Sequence, residues 1–142
     1  MQIEIKLPKK IMLRQREITA DYMVALDKHL DDILTGRALD MFEIRDFADQ
    51  MHIDARHLSN TIKLVTGKAP CYFYEHKIMD IARRELQETD ASVSEIAVRL
   101  TYDPSNFVKF FKRYQGVTPK QYREQIRASS FTNDTKTETL TI

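Results

Sequence analysis

Arg56, Ser59, Asn60 and Lys63 fall on one face of any helix that contains them. Ser105, Asn106, Val108, Lys109, Lys112 and Arg113 make a second set of the same kind. The side-chain types define a chemistry. A guanidinium donates two parallel hydrogen bonds, a carboxamide donates and accepts, and an ammonium is a compact positive charge. Together they suit the base edges and phosphates of double-stranded DNA. Arg56 pairs with guanine in that reading and Asn60 with adenine. Lys109 reaches guanine and Val108 touches a thymine methyl. Lys63, Lys112 and Arg113 suit phosphates. Thr118, Lys120 and Gln121 open a further helix, whose N-terminal N–H groups offer themselves to another phosphate.

Other chemistries lack their residues. His29, His52, His57 and His76 show no metal-ligand spacing with carboxylates. Cys71 is the single cysteine, so neither an internal disulfide nor a multi-cysteine zinc site can form. Beside Tyr72 and Phe73 it reads as a packed thiol rather than a nucleophile. Phe107, Phe110 and Phe111 follow a helix seam and read as core, not as a base-stacking platform. There is no glycine-rich phosphate loop, and the acidic residues of 17–54 read as a solvated face. The expectation is therefore a protein that is not an enzyme and needs no cofactor and no metal.

The elements that would position these side chains are helical. The chain has 142 residues, 42% of them hydrophobic, with only three glycines. Leu, Ala, Glu, Lys, Arg and Gln are plentiful, which favours helix. No apolar run approaches the ~20 residues of a membrane span, and no cleavable signal pattern opens the chain, so a cytoplasmic protein is expected. Net charge is +1, but the charges are sorted. Residues 17–54 carry ten acidic and three basic side chains, whereas 99–127 carry seven basic and two acidic. A basic C-terminal lobe behind an acidic front half is compatible with a nucleic-acid face.

Residues 1–17 read as an N-terminal arm, with a short strand possible at 2–7. A helix is expected over 19–35, capped by Thr19, with Tyr22, Leu26, Leu30, Ile33 and Leu34 on its apolar face. Asp40 with Glu43 reads as a capping box for a short helix carrying Ile44, Phe47, Ala48 and Met51. Asp54 starts the next helix, which buries Leu58, Ile62 and Val65 and stops at Gly67. Pro70 begins a helix to about 88 that buries Phe73, Ile78, Ile81, Ala82 and Leu86. Ser92 with Glu95 caps a short helix, and Asp103 with Pro104 starts the helix that ends at Gly116. Thr118, Pro119 and Gln121 open the last one as cap, first-turn proline and capping-box partner. The resulting division is arm 1–17, first lobe 18–69, linker helix 70–90, second lobe 91–127 and a disordered tail 128–142.

The two lobes are copies. A shift of 49 residues superposes Ile44 on Val93, Phe47 on Ile96, Ala48 on Ala97 and Met51 on Leu100, then Asp54 on Asp103, Leu58 on Phe107, Ile62 on Phe111, Lys63 on Lys112, Gly67 on Gly116 and Pro70 on Pro119. No gap is needed. Each copy is a short helix, a tight turn and a longer helix, with a small alanine in the first and an apolar residue ten positions later. Those are helix-turn-helix spacings. The intervening helix of ~18 residues spans ~27 Å, a suitable spacer for recognition helices that enter successive major grooves ~34 Å apart.

VSEIAVRL followed by DPSNFVKFFKRYQGVTPKQYRE resembles the C-terminal signature of the AraC/XylS transcription regulators. The resemblance covers about residues 20–127. It implies an all-α, homeodomain-like fold of about seven helices, with two helix-turn-helix lobes joined by a central linker helix. It also implies either a short standalone member or the DNA-binding part of a longer regulator. His52 and Thr101 stand where the family commonly places the glycine of each turn, and Asn60 where it often places arginine. The second turn also looks one residue shorter than the family's usual form.

The function expected is a sequence-specific DNA-binding transcription regulator that binds as a monomer, with RNA polymerase as a further partner. The alternative is a protein-interaction module of the same fold, acting as a co-regulator through its acidic N-terminal helix.

Overall fold

The computed structural model describes the backbone of residues 9–140 and the side chains of residues 12–130. The chain order is α1 (Lys9–Leu34), α2 (Ile44–Met51), α3 (Ala55–Thr66), α4 (Pro70–Glu88), α5 (Val93–Arg99), α6 (Pro104–Gln115) and α7 (Pro119–Leu140). The described residues form no strand, and the strand considered at 2–7 lies outside them. They divide into two compact units, one ending at Lys77 and one beginning at Ile78, with α4 contributing to both.

In the first unit, α1 places Ile18, Tyr22, Leu26, Leu30 and Ile33 in one buried stripe. The spacing of three or four residues keeps them on one helical face. Phe47 and Ala48 of α2 and Leu58 and Ile62 of α3 complete this core. The ring of Phe47 meets Tyr22 edge-on at 5.3 Å and His29 edge-on at 5.5 Å. The second unit buries Ile78, Met79, Ala82 and Leu86 of α4, Ile96 and Ala97 of α5, and Phe107, Phe110 and Phe111 of α6. Tyr122 of α7 closes it, edge-on to Phe111 at 5.5 Å, with its hydroxyl accepting from Gln87 Nε2 at 2.6 Å. Fully burying a side chain such as Phe107 contributes about 1.5–3 kcal/mol.

The 49-residue shift maps one unit's boundaries onto the other. α3 begins at Ala55 and ends at Thr66, and α6 begins at Pro104 and ends at Gln115. Asp54 accepts the His57 N–H at 3.1 Å, and Asp103 accepts the Asn106 N–H at 3.2 Å. Gly67 and Gly116 end their helices at φ 76° and 87°, where a side chain would be strained. The two turns are closed by the same hydrogen bond. In the first, Ala48 C=O accepts the Ile53 N–H at 3.0 Å; in the second, Ala97 C=O accepts the Tyr102 N–H at 2.8 Å. This six-to-one bond holds only if the residue before the donor is left-handed. His52 and Thr101 supply that conformation at φ 58° and 63°. The turns thus keep the glycine-type backbone without glycine.

Several local expectations change. α1 starts at Lys9, so Thr19 lies inside the helix; its Oγ1 donates back to Gln15 C=O at 2.9 Å instead of capping. Residues 9–17 therefore continue α1 as helix. α2 starts three residues later than Asp40 suggests. Glu43 is its cap, and the Asp46 carboxylate accepts the Glu43 N–H at 2.8 Å. α7 continues to Leu140, where a disordered tail was expected from 128. Val65 is 38% exposed and Leu64 60%, because the α3 seam is satisfied by Leu58 and Ile62. Phe73 is half-buried, and Cys71 is exposed rather than packed.

Candidate nucleic-acid interface

The sequence repeat turns into a repeat of exposure. Arg56 and Ser105 are exposed, Asn60 and Lys109 are exposed, and Lys63 and Lys112 are exposed. Each pair is related by 49 residues. Ser59 and Val108, the fourth pair, are both half-buried. Between them lie the buried Leu58 and Phe107. One helical face is thus anchored in a core and the opposite face is offered outward. The aspartate caps and the αL turns fix where that face begins.

The cations on these helices are not paired with carboxylates among the described residues. Several arginines elsewhere are answered by carboxylates: Arg37 lies 2.8 Å from Asp31 and 2.9 Å from Asp32, Arg45 lies 3.1 Å from Glu43, and Arg127 lies 2.8 Å from Asp90. The hydrogen-bonded Asp32 carboxylate holds the Arg37 guanidinium above its ordinary value. Arg56 and Lys63 on α3, Lys109 and Lys112 on α6 and Lys120 on α7 have no ion-pair partner among the described residues. Exposed cations without an internal anion are available to a polyanion at little desolvation cost.

Other predicted contacts are placed less simply. Arg113 is exposed, but its guanidinium rests over the rings of Phe110 at 5.8 Å and Tyr114 at 5.5 Å. It is held at the edge of the α6 core by cation–π attraction. Ser105 and Asn106 stand in the first turn of α6, and only the backbone N–H of Asn106 is used in the cap. At the start of α7, Thr118 and Gln121 are occupied by each other. The Gln121 N–H donates to Thr118 Oγ1 at 3.2 Å, and the Thr118 N–H donates to Gln121 Oε1 at 3.0 Å. These two residues shape the helix entry, so the donors expected there for a phosphate are partly consumed. Lys120 stays exposed.

His57 was missed by sequence reasoning. It is exposed and stands 49 residues before Asn106, in the first turn of α3. Applying the repeat to Asn106 would have found it. The corner after α3 is also built differently from its copy. Ala69 stands where the second unit has Thr118, and Thr66 Oγ1 instead accepts the Lys68 N–H at 3.1 Å. The Lys68 ammonium sits 5.2 Å above the Tyr72 ring.

With this geometry in hand, comparison with known proteins gives a consistent picture. A family model described as a helix-turn-helix domain matches residues 47–125. An uncharacterized HTH-type transcriptional regulator of Bacillus subtilis, YtdP, is 33% identical over 84 residues, covering 58% of the chain and 11% of the relative. The HTH-type transcriptional activator RhaR of an Enterobacter species is 28% identical over 113 residues, covering 79% of the chain and 40% of the relative. The chain thus spans less than half the length of these two curated relatives. Among solved structures, the C-terminal domain of AraT, a response regulator from Geobacillus stearothermophilus, superposes with a TM-score of 0.67 at 26% identity, over 76% of this chain and 84% of that one. The DNA-binding domain of AdpA, a global transcriptional factor solved in complex with a target DNA, superposes with a TM-score of 0.60 at 25% identity, over 71% of this chain and 95% of that one.

Proposed function

The chain belongs to the AraC/XylS-type helix-turn-helix family, and from that premise we propose that it is a sequence-specific DNA-binding transcription regulator whose recognition helices are α3 and α6. The observation that carries this reading is the exposed face repeated on the two helices, with cations that no carboxylate answers. AdpA, solved on its target DNA, supports it from the side of the fold.

Arg56, Asn60 and Lys109 are assigned to base edges, with Ser105, Asn106 and Val108 beside them. Lys63, Lys112 and Lys120 are assigned to phosphates. Lys63 and Lys112 lie one turn further along their helices than Asn60 and Lys109, as a groove wall lies beyond its floor. Ser59 is half-buried and contributes, at most, from the edge. Arg113 reaches a phosphate only by leaving its aromatic seat. Thr118 and Gln121 act by holding the α7 entry in shape. One chain supplies two unlike recognition helices, so the site it reads is asymmetric and one molecule occupies it.

The test is a gel-shift titration against genomic fragments at several salt concentrations. Retardation of particular fragments, weakening steeply with salt, is expected. Absence of retardation at low salt would instead favour an interaction module of the same fold.

A further inference from the structure

A cleft of about 390 Å³ opens in the first unit. Its walls include Tyr22 of α1, Phe42 and Phe47, Ser59 of α3, and Pro70 and Cys71 at the start of α4. The size falls within the ~300–1,000 Å³ common for small-molecule sites, and the walls are mainly apolar, as such sites are. Three hydroxyl-bearing side chains line it, Tyr22, Ser59 and Tyr74, and Tyr74 is already engaged. Tyr22 is only 2% exposed, yet its hydroxyl has no hydrogen-bond partner among the described residues, and neither has that of Ser59. A buried tyrosine normally satisfies its O–H. No buried side-chain polar atom among the described residues is sealed away without a partner, so the Tyr22 hydroxyl opens to the cleft it lines.

We propose that this cleft binds a neutral aromatic molecule of one or two rings that carries a hydrogen-bond acceptor, with the acceptor on the Tyr22 hydroxyl and the rings against the apolar walls. Burial, with the Cys71 sulfur adding to it, pushes the Tyr22 phenol up to about 12, so it remains a donor across the physiological range. Among the described residues, the only charged side chain lining the cleft is Glu43, so little net charge is offered to an ion of either sign once that carboxylate is paired. Arg45 lies 3.1 Å from Glu43 and meets that charge, which favours a neutral ligand. Ser59 belongs to α3, so an occupied cleft presses on a recognition helix and couples the ligand to DNA reading. The binding claim is independent of the DNA reading; only the coupling rests on it.

The probe is 1-tetralone, with tetralin as the same ring system lacking the acceptor, titrated into the full chain by NMR. Saturable shifts are expected at the amides of Tyr22, Phe42, Ser59 and Cys71. Tyr22→Phe removes an unpaired hydroxyl and keeps the ring, so the core should hold. It should weaken tetralone roughly threefold to tenfold, the range of one neutral hydrogen bond, and leave tetralin unchanged. Independently, saturating tetralone should slow the reaction of the single cysteine, Cys71, with a maleimide in the unmodified chain. Absence of saturable shifts, equal tetralone affinity in the two proteins, or an unchanged Cys71 rate would each overturn the site. Tetralone binding that leaves DNA affinity unaltered would overturn the coupling alone.

Discussion

Thr101 stands in the left-handed region at φ 63°, at the point of the second turn where His52 stands at φ 58° in the first. Both side chains are exposed. The turns therefore take a conformation that glycine adopts freely and that costs other residues about 1–2 kcal/mol. A β-branched residue is the worse case. Thr101→Gly is expected to stabilise the protein by about 1 kcal/mol, after the extra chain entropy of glycine is set against the relieved strain. His52→Gly should gain less. Urea denaturation of each variant measures this, and a loss of stability in Thr101→Gly would contradict the account.

His29 is buried, and its Nε2 accepts the Phe42 N–H at 2.9 Å while its ring stacks on Phe42 at 4.1 Å. Burial holds its pKa below the ordinary value, against the opposing pull of Asp32 and Asp46. The unfolded chain, titrating near 6.5, then binds more protons than the folded one. The His29 contribution is present above that value and is lost as pH falls through the lower folded value. Stability should decline over that window, and His29→Gln, which keeps an acceptor but does not titrate, should flatten the decline. Denaturant midpoints measured from pH 7.5 downwards decide it; parallel curves for the two proteins would refute it.

Asp103 caps α6 through the Asn106 N–H. Asp103→Ala should cost about 1 kcal/mol of stability, and Asp103→Asn, which keeps an acceptor, only a fraction of that. A thermal melt of the three proteins separates the cap from the lost charge. Equal losses in both variants would assign the effect to charge.

Lys109 and Lys112 are exposed on α6 without an ion-pair partner among the described residues. Lys112→Ala should weaken all DNA sequences alike and lower the slope of log affinity against log salt by about 0.9, the value of one phosphate contact. Lys109→Ala should cost roughly 1–3 kcal/mol on the best site and less elsewhere, as a base contact does. An unchanged salt slope in Lys112→Ala would remove the phosphate assignment, and an equal loss on all sequences in Lys109→Ala would remove the base assignment.

The repeat was the most legible feature of the sequence, because caps, helix stops and seam residues are local and keep their spacing. The first cap was misread because Asp40, Glu43 and Asp46 offer two capping boxes three residues apart, and the helix uses the second. The Thr19 cap failed for a related reason: a threonine can cap a helix or bond backward within one. Val65 was expected inside because its spacing fits the seam, but Leu58 and Ile62 already fill it. The cleft was invisible, since α1, the segment before α2, α3 and α4 all contribute to it. The Thr118–Gln121 capping box was legible from its spacing, and it takes the donors expected there for a phosphate; Arg113 is held by Phe110 and Tyr114 of its own helix.

The central claim is that α3 and α6 read DNA sequence. Selection of bound fragments from a random DNA pool tests it most directly. The account predicts an asymmetric consensus with two separate motifs, one altered by substitution of Asn60 on α3 and the other by substitution of Lys109 on α6. Recovery of no preferred sequence from a pool retained at low salt would contradict it.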